Sequence, residues 1–265
     1  MKALQITGGT EIAPLPFLSV YRKGDVPAEI FRRQATGEVP RVVPDLRPAR
    51  FVRSILLEDG SFGGLASDGG ALLTFVISGE LTLTAAGGRT AKLAPGDLFL
   101  IDGGSASRIG VDASGTCRLV QVGVYPDWPG PDAKIQDRGT LTPREAGEVK
   151  IKRIYRGADD LAYYSEFPEL FSAPPNEWSA SRPVTGLRFM CWEDGVLDWH
   201  PEVVNNFAVF LSGELSIEAS GDRIANAFHA GDVCLAQDRT GMGHLNRCRG
   251  VTHTALIVME DKDLW

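Results

Sequence analysis

Short apolar runs, each closed by glycine, proline or aspartate, set the pattern of this chain. Residues 51–57, 72–78, 80–85, 97–101 and 118–124 make one series of expected strands, and 186–193, 206–212, 214–219, 232–237 and 252–259 make a second. Runs of this length, rich in Val, Ile, Leu and Phe, predict β-structure. Helical periodicity is scarce, and only residues 27–34 and 158–167 are expected to be helical. The 30 glycines and 16 prolines fit an all-β chain with many turns.

The two series are copies of each other. FVISGELTLTAAGGR at 75–89 matches VFLSGELSIEASGDR at 209–223, and PGDLFLID at 95–102 matches AGDVCLAQD at 230–238. Strand order, turn glycines and spacing recur together, so one β-unit is expected twice. The expected division is an N-terminal arm over 1–45, a first unit over 46–128, a proline-containing linker and irregular segment over 129–180, and a second unit over 181–265. The arm is expected to pack on the other unit or on a partner subunit.

A strand, a Gly-Glu turn, a second strand, then Pro-Gly-Asp and a third strand resembles the cupin superfamily. The resemblance implies two tandem jelly-roll barrels of the double-stranded β-helix type, a bicupin. Cupins carry two motifs, G-x5-H-x-H-x3,4-E-x6-G and G-x5-P-x-G-x2-H-x3-N. In the first half the ligand positions fall on Ala66, Asp68, Leu72 and Ser107, which cannot replace three imidazoles and a carboxylate. That barrel is expected to be metal-free. In the second half they fall on His200, Glu202, Asn206 and His244, with one residue fewer after Gly195 and two extra in the later turn. The turn QDRTGMGH at 237–244 also resembles one in uncharacterised bacterial cupin-domain proteins.

Two histidines and a carboxylate suffice for Fe, Mn, Ni or Zn, with Asn206 a weak fourth ligand. On an extended strand His200, Glu202 and Asn206 would share one face. Trp192, Trp199 and Cys248 are expected around the pocket, His229 at the surface, and His253 packed within a strand. Asp97 and Asp232 are expected to serve their turns. Three functions stay open. The first is a metal-dependent dioxygenase, decarboxylase or isomerase acting on a small organic substrate. The second is a metal-free acid/base isomerase using His200, Glu202 and His244, and the third is a small-molecule binding or sensing protein.

Charge and cysteine usage narrow the partners. A net charge of −7 excludes nucleic acid as an expected partner, although residues 22–53 carry eight Arg and Lys against four acids. That basic stretch reads as a solvated or subunit-facing segment. No apolar run reaches the ~20 residues of a membrane helix, and a cytoplasmic homodimer is expected. Cys117, Cys191, Cys234 and Cys248 form no CxxC pair and read as buried thiols.

Overall fold

The computed structural model describes residues 5–6, 10–11, 18–21, 31–34, 46–62, 65, 70–84, 90–101, 109–125 and 148–260. In chain order the strands are β1 (Gln5–Ile6), β2 (Thr10–Glu11), β3 (Leu18–Tyr21), β4 (Phe31–Gln34), β5 (Arg47–Leu57), β6 (Gly60–Phe62), β7 (Ala71–Thr84), β8 (Thr90–Leu93), β9 (Leu98–Ile101) and β10 (Gly110–Val124). They continue with β11 (Ile151–Arg156), β12 (Ala162–Glu166), β13 (Arg182–Trp192), β14 (Gly195–His200), β15 (Asn206–Ala219), β16 (Ala225–Phe228), β17 (Val233–Gln237) and β18 (His244–Met259). A 3-10 turn covers Pro168–Phe171. The fold is all-β, as the punctuation of the sequence requires.

The chain divides into two compact units. One comprises Met1–Ile30, Pro48–Leu141 and Phe171–Arg182; the other comprises Phe31–Arg47, Thr142–Leu170 and Pro183–Trp265. Their wiring is the same. In the first, β7 pairs with β8, β9 and β10, and β10 pairs with β5 and β6. In the second, β15 pairs with β16, β17 and β18, and β18 pairs with β13 and β14. The second unit adds the hairpin β11–β12, laid parallel on β17, and the short β4, laid parallel on β13.

The repeat also holds at the level of single hydrogen bonds. Asp97 Oδ2 accepts the Ala94 amide at 2.8 Å, and Asp232 Oδ2 accepts the His229 amide at 2.8 Å, so both aspartates close their turns. Asp59 holds the Gly115 amide, and Asp194 holds the Gly250 amide. The recurring Ser-Gly-Glu-Leu is a bulge, whereas the sequence pattern predicts a turn between two separate strands there. Gly79 and Gly213 take φ of +78° and +75°, and β7 and β15 run through them as single bent strands. A glycine is required for this conformation, and a Cβ at Gly213 would collide with the Val251 carbonyl.

Two helical expectations are corrected. Residues 158–167 form a turn and then β12, because Tyr163 and Tyr164 favour a pleated surface and pair with Tyr155 and Ile154. Of residues 27–34, the last four form β4 and the first four lie outside the described residues. The first unit has an apolar core built from Ile55, Leu57, Leu72, Val76, Phe99 and Leu119, beside which the buried Gln121 donates to Thr74 Oγ1 at 3.1 Å. Leu72, at a ligand position of the cupin motif, belongs to that core, while Ala66, Asp68 and Ser107 lie outside the described residues.

The bulge predicts a graded response. Gly250→Ala meets no atom within 4 Å and bears only the left-handed backbone cost, about 1–2 kcal/mol. Gly213→Ala adds a backbone collision and should lose about 2–5 kcal/mol. Urea unfolding of the two variants checks the order, and equal losses would contradict the bulge.

Candidate metal centre

The second unit's interior differs in kind. Here Phe210 stacks on Phe228 with ring centroids 4.8 Å apart, and Met190, Leu215, Ile217 and Leu256 complete an apolar wall. Within it lies a cavity lined also by His200, Glu202, Asn206, His244, Arg188 and Asn246.

His200 and His244 meet because they are register partners across β14 and β18. Their rings lie 4.5 Å apart, and both are buried, at 5% and 2% exposure. Glu202 arrives differently. β14 ends at His200, Pro201 donates no amide hydrogen bond, and Glu202 stands in the turn that leads to β15. The expectation that His200, Glu202 and Asn206 share one strand face is therefore corrected: the turn brings them together. His200, Glu202 and His244 converge so that their ligand atoms lie within 4.8 Å of one another. Donors sharing one first-row ion at 2.0–2.2 Å lie at most about 4.4 Å apart, and His244 Nε2 and Glu202 Oε1, 3.7 Å apart, fall inside that limit.

The hydrogen bonds decide which ring nitrogens are available. His200 Nδ1 lies 2.6 Å from the Asp198 carbonyl, an acceptor only, so Nδ1 carries the hydrogen. His244 Nδ1 lies 2.7 Å from Asp238 Oδ2, and Asp238 is fully buried. When neutral, each imidazole thus presents an unprotonated Nε2, and His244 Nε2 is 3.7 Å from Glu202 Oε1. A ligand histidine whose other nitrogen bonds to a carboxylate or carbonyl is the usual support of a metal site. Asn206 lines the same cavity and favours the charged form of the Glu202 carboxyl.

Burial pushes His200 down to about 4, and the neighbouring His244 adds to the effect. For His244 burial also disfavours the charge, but the adjacent Asp238, by charge and hydrogen bond, and Glu202 outweigh it and leave the pKa raised. Burial raises the Glu202 carboxyl, with Asp238 adding to it, against His244, Arg188 and Asn206.

A brace outside the repeat holds the histidines. Gly241 and Gly243 take φ of +87° and +71°, and Cβ atoms there would collide with the Asp160 and His200 carbonyls. The Met242 amide bonds to Asp160 O at 2.9 Å, and the Ser220 amide bonds to Gly243 O at 3.2 Å. The β11–β12 hairpin, where the sequence suggests a linker, thus packs against the turn that delivers His244.

Of the aromatic and thiol pocket candidates, Trp192 lines the cavity and donates to Thr254 Oγ1 at 3.0 Å. Trp199 does not line it and carries the Arg223 guanidinium 4.4 Å above its ring. Cys248 sits in the apolar core with its sulfur 3.4 Å from Thr252 Oγ1, also away from the cavity lining. His253 is buried and bonded to Ser212 at 2.8 Å, and His229 is half-buried. Sequence reasoning missed Asp238 and Arg188. The signal for Asp238 was its place six residues before His244 in the QDRTGMGH turn. For Arg188 it was a charge alternating with Met190 and Trp192 on one face of β13.

No family model matches the chain, and no curated protein matches it. Among solved structures it is similar to a Cupin 2 conserved barrel domain protein from Leptotrichia buccalis, at 12% identity and TM-score 0.42, over 81% of this chain and 85% of that one. It is also similar to a protein of unknown function from Pseudomonas syringae pv. tomato, at 13% identity and TM-score 0.40, covering 92% and 99%. A third is the oxalate decarboxylase of Lactobacillus farciminis, at 14% identity and TM-score 0.29, covering 89% of each chain. At such values no residue role is carried over from them. No helix of the described residues is long and apolar enough to cross a membrane.

The depressed His200 pKa fixes a pH response for the chelator-treated protein. Between pH 6.5 and about 4 the unfolded chain takes a proton that folded His200 refuses, so stability falls as pH drops through that window. The complete loss is worth about 3 kcal/mol. His244 runs the other way, its contribution present below pH 6.5 and lost as pH rises through its folded pKa. Urea unfolding of His200→Gln at pH 7 and pH 4.5 should show a visibly flatter acid limb than wild type; parallel limbs would contradict the assignment.

Proposed function

We propose that the second unit is a cupin-type enzyme centre, in which His200, Glu202 and His244 hold a divalent metal ion that acts on a small organic substrate. The observation that carries the reading is the pair of imidazoles with both Nδ1 atoms engaged, so that two Nε2 atoms and one carboxylate meet in a single cavity. The donor set suits Mn, Fe, Ni or Zn. Such an ion supplies Lewis-acid polarisation of a bound oxygen, or an open position for O2.

The chain's own groups do the rest. Asp238 fixes the ring of His244 and strengthens its Nε2 as a donor. Asn206 favours the charged form of Glu202, and Leu197, Phe210, Leu215 and Ile217 keep water from the reacting atoms. A second reading has one observation of its own: His200 and His244 are shifted in opposite directions, as suits a metal-free base and acid. Activity surviving exhaustive chelation and lost in His244→Ala would favour it.

Metal analysis of the purified chain by inductively coupled plasma mass spectrometry should find near one ion per chain, lost in the His200→Ala/His244→Ala double variant. Asp238→Asn should keep the ligands yet weaken metal affinity about 10- to 100-fold. Wild-type protein that neither carries nor takes up metal sinks the metal reading.

A further inference from the structure

The internal repeat supplies a control inside one molecule. Val111 on β10 pairs with Leu83 on β7 and Phe62 on β6, and Asn246 on β18 pairs with Ile217 on β15 and Leu197 on β14. Leu83 and Ile217 match within the repeated segments at 75–89 and 209–223, so Val111 and Asn246 hold the same repeat position. In the first unit that position is ordinary core, with Val111 only 2% exposed beside Leu83 and Phe62. In the second unit the flanking Leu197 and Ile217 are still apolar, but the side chain between them is an amide.

Asn246 is 5% exposed, and among the described residues its buried Oδ1 has no hydrogen-bond partner. An acceptor buried unpaired costs stability that a valine would not. The fold therefore gives up stability at a position where its own duplicate shows an apolar solution. The place of the amide supplies a reason. Asn246 lines the cavity with His200, Glu202 and His244. It follows His244 by two residues on β18, so the two side chains stand on one face, about 7 Å apart along the strand. The terminal torsion of an asparagine is soft, so the oxygen can turn to a donor inside the chamber.

We propose that Asn246 is a specificity-determining residue whose Oδ1 accepts a hydrogen bond from a substrate hydroxyl, so that the substrate is a small hydroxylated compound. The proposal rests on the reading of the same cavity as a metal centre: one polar end of the molecule meets the ion and its hydroxyl meets Asn246. Leu197 and Ile217 on either side of the amide favour a neutral donor over an ammonium, because an unpaired charge is far costlier to bury than a hydroxyl. The acceptor is already buried, so a hydroxyl that reaches it gains a bond without the cost of stripping water from that oxygen.

Isothermal titration calorimetry on the full chain loaded with Mn(II) tests this with three matched sets. They are glycolate, methoxyacetate and acetate; 3-hydroxypropionate, 3-methoxypropionate and propionate; and 4-hydroxy-2-butanone, 4-methoxy-2-butanone and butanone. In at least one set the hydroxyl compound should bind at least about tenfold more tightly than its methyl ether, which cannot donate, and than its deoxy parent. Asn246→Val, which installs the first unit's side chain, should abolish that preference, leave the affinity for the deoxy parent unchanged, and keep or raise Tm. Val111→Asn should lower Tm and leave binding unchanged. Circular dichroism and metal content of each variant separate loss of fold or metal from loss of recognition. The proposal is overturned by hydroxyl compounds that bind no better than their methyl ethers, by no binding of any hydroxyl compound, by a preference retained in Asn246→Val, or by a lower Tm in that variant. An Asn246-dependent preference that persists in chelated protein supports the proposal and counts against the metal reading alone. One bound ion per chain with no hydroxyl preference overturns the proposal and leaves the metal reading standing.

Discussion

The hydrogen bond between His244 Nδ1 and the buried Asp238 carboxylate is the constraint on which the site depends. A carboxylate with no exposed surface is costly unless it is paired, and the imidazole is the group that pairs it. The bond fixes which nitrogen of His244 faces the cavity, turns the ring toward Glu202, and raises the pKa of an otherwise disfavoured charge. The glycines of the connecting turn let it lie against Asp160 and the His200 carbonyl, where a Cβ would collide. Local backbone geometry, side-chain tautomer and site electrostatics are one arrangement.

One wiring serves two interiors. Paired glycine bulges, paired aspartate-capped turns and the same set of strand partners recur in both units. What differs is the inward-facing side chains. Where the first unit has Leu72, Leu57 and Leu119, the second has Asn206, Trp192 and Thr254, and an apolar core becomes a lined chamber. Arg53 and Arg188 hold the same repeat position, beside Gln121 and Thr74 in the first unit and beside Leu256 and Ala208 in the second.

Much of this was legible in the sequence because glycine and aspartate at turns act locally, and local rules repeat with the residues. The strands and the repeat therefore read directly. Ser-Gly-Glu-Leu was read as a turn because a bulge and a tight turn share the same glycine requirement, and only strand pairing on both sides separates them. Residues 158–167 failed for a different reason, since two acids and a leucine give a short helix-like start that the Tyr163–Tyr164 pairing overrides. His200, Glu202 and His244 could be picked out because they stand at motif positions. Their geometry could not, since the strand ends at His200. Asp238 meets His244 across a six-residue turn and Arg188 reaches the cavity from β13, placements that strand pattern alone does not give, and Trp199 shows how one alternation decides between lining a cavity and stacking on Arg223.

The most direct test of the central claim is a crystal of the chain soaked in Mn(II), with anomalous scattering recorded at a wavelength where manganese dominates. A single strong peak bounded by His200 Nε2, His244 Nε2 and the Glu202 carboxylate is the predicted result. A map with no peak in that cavity, or with manganese held only by other residues, would contradict the account.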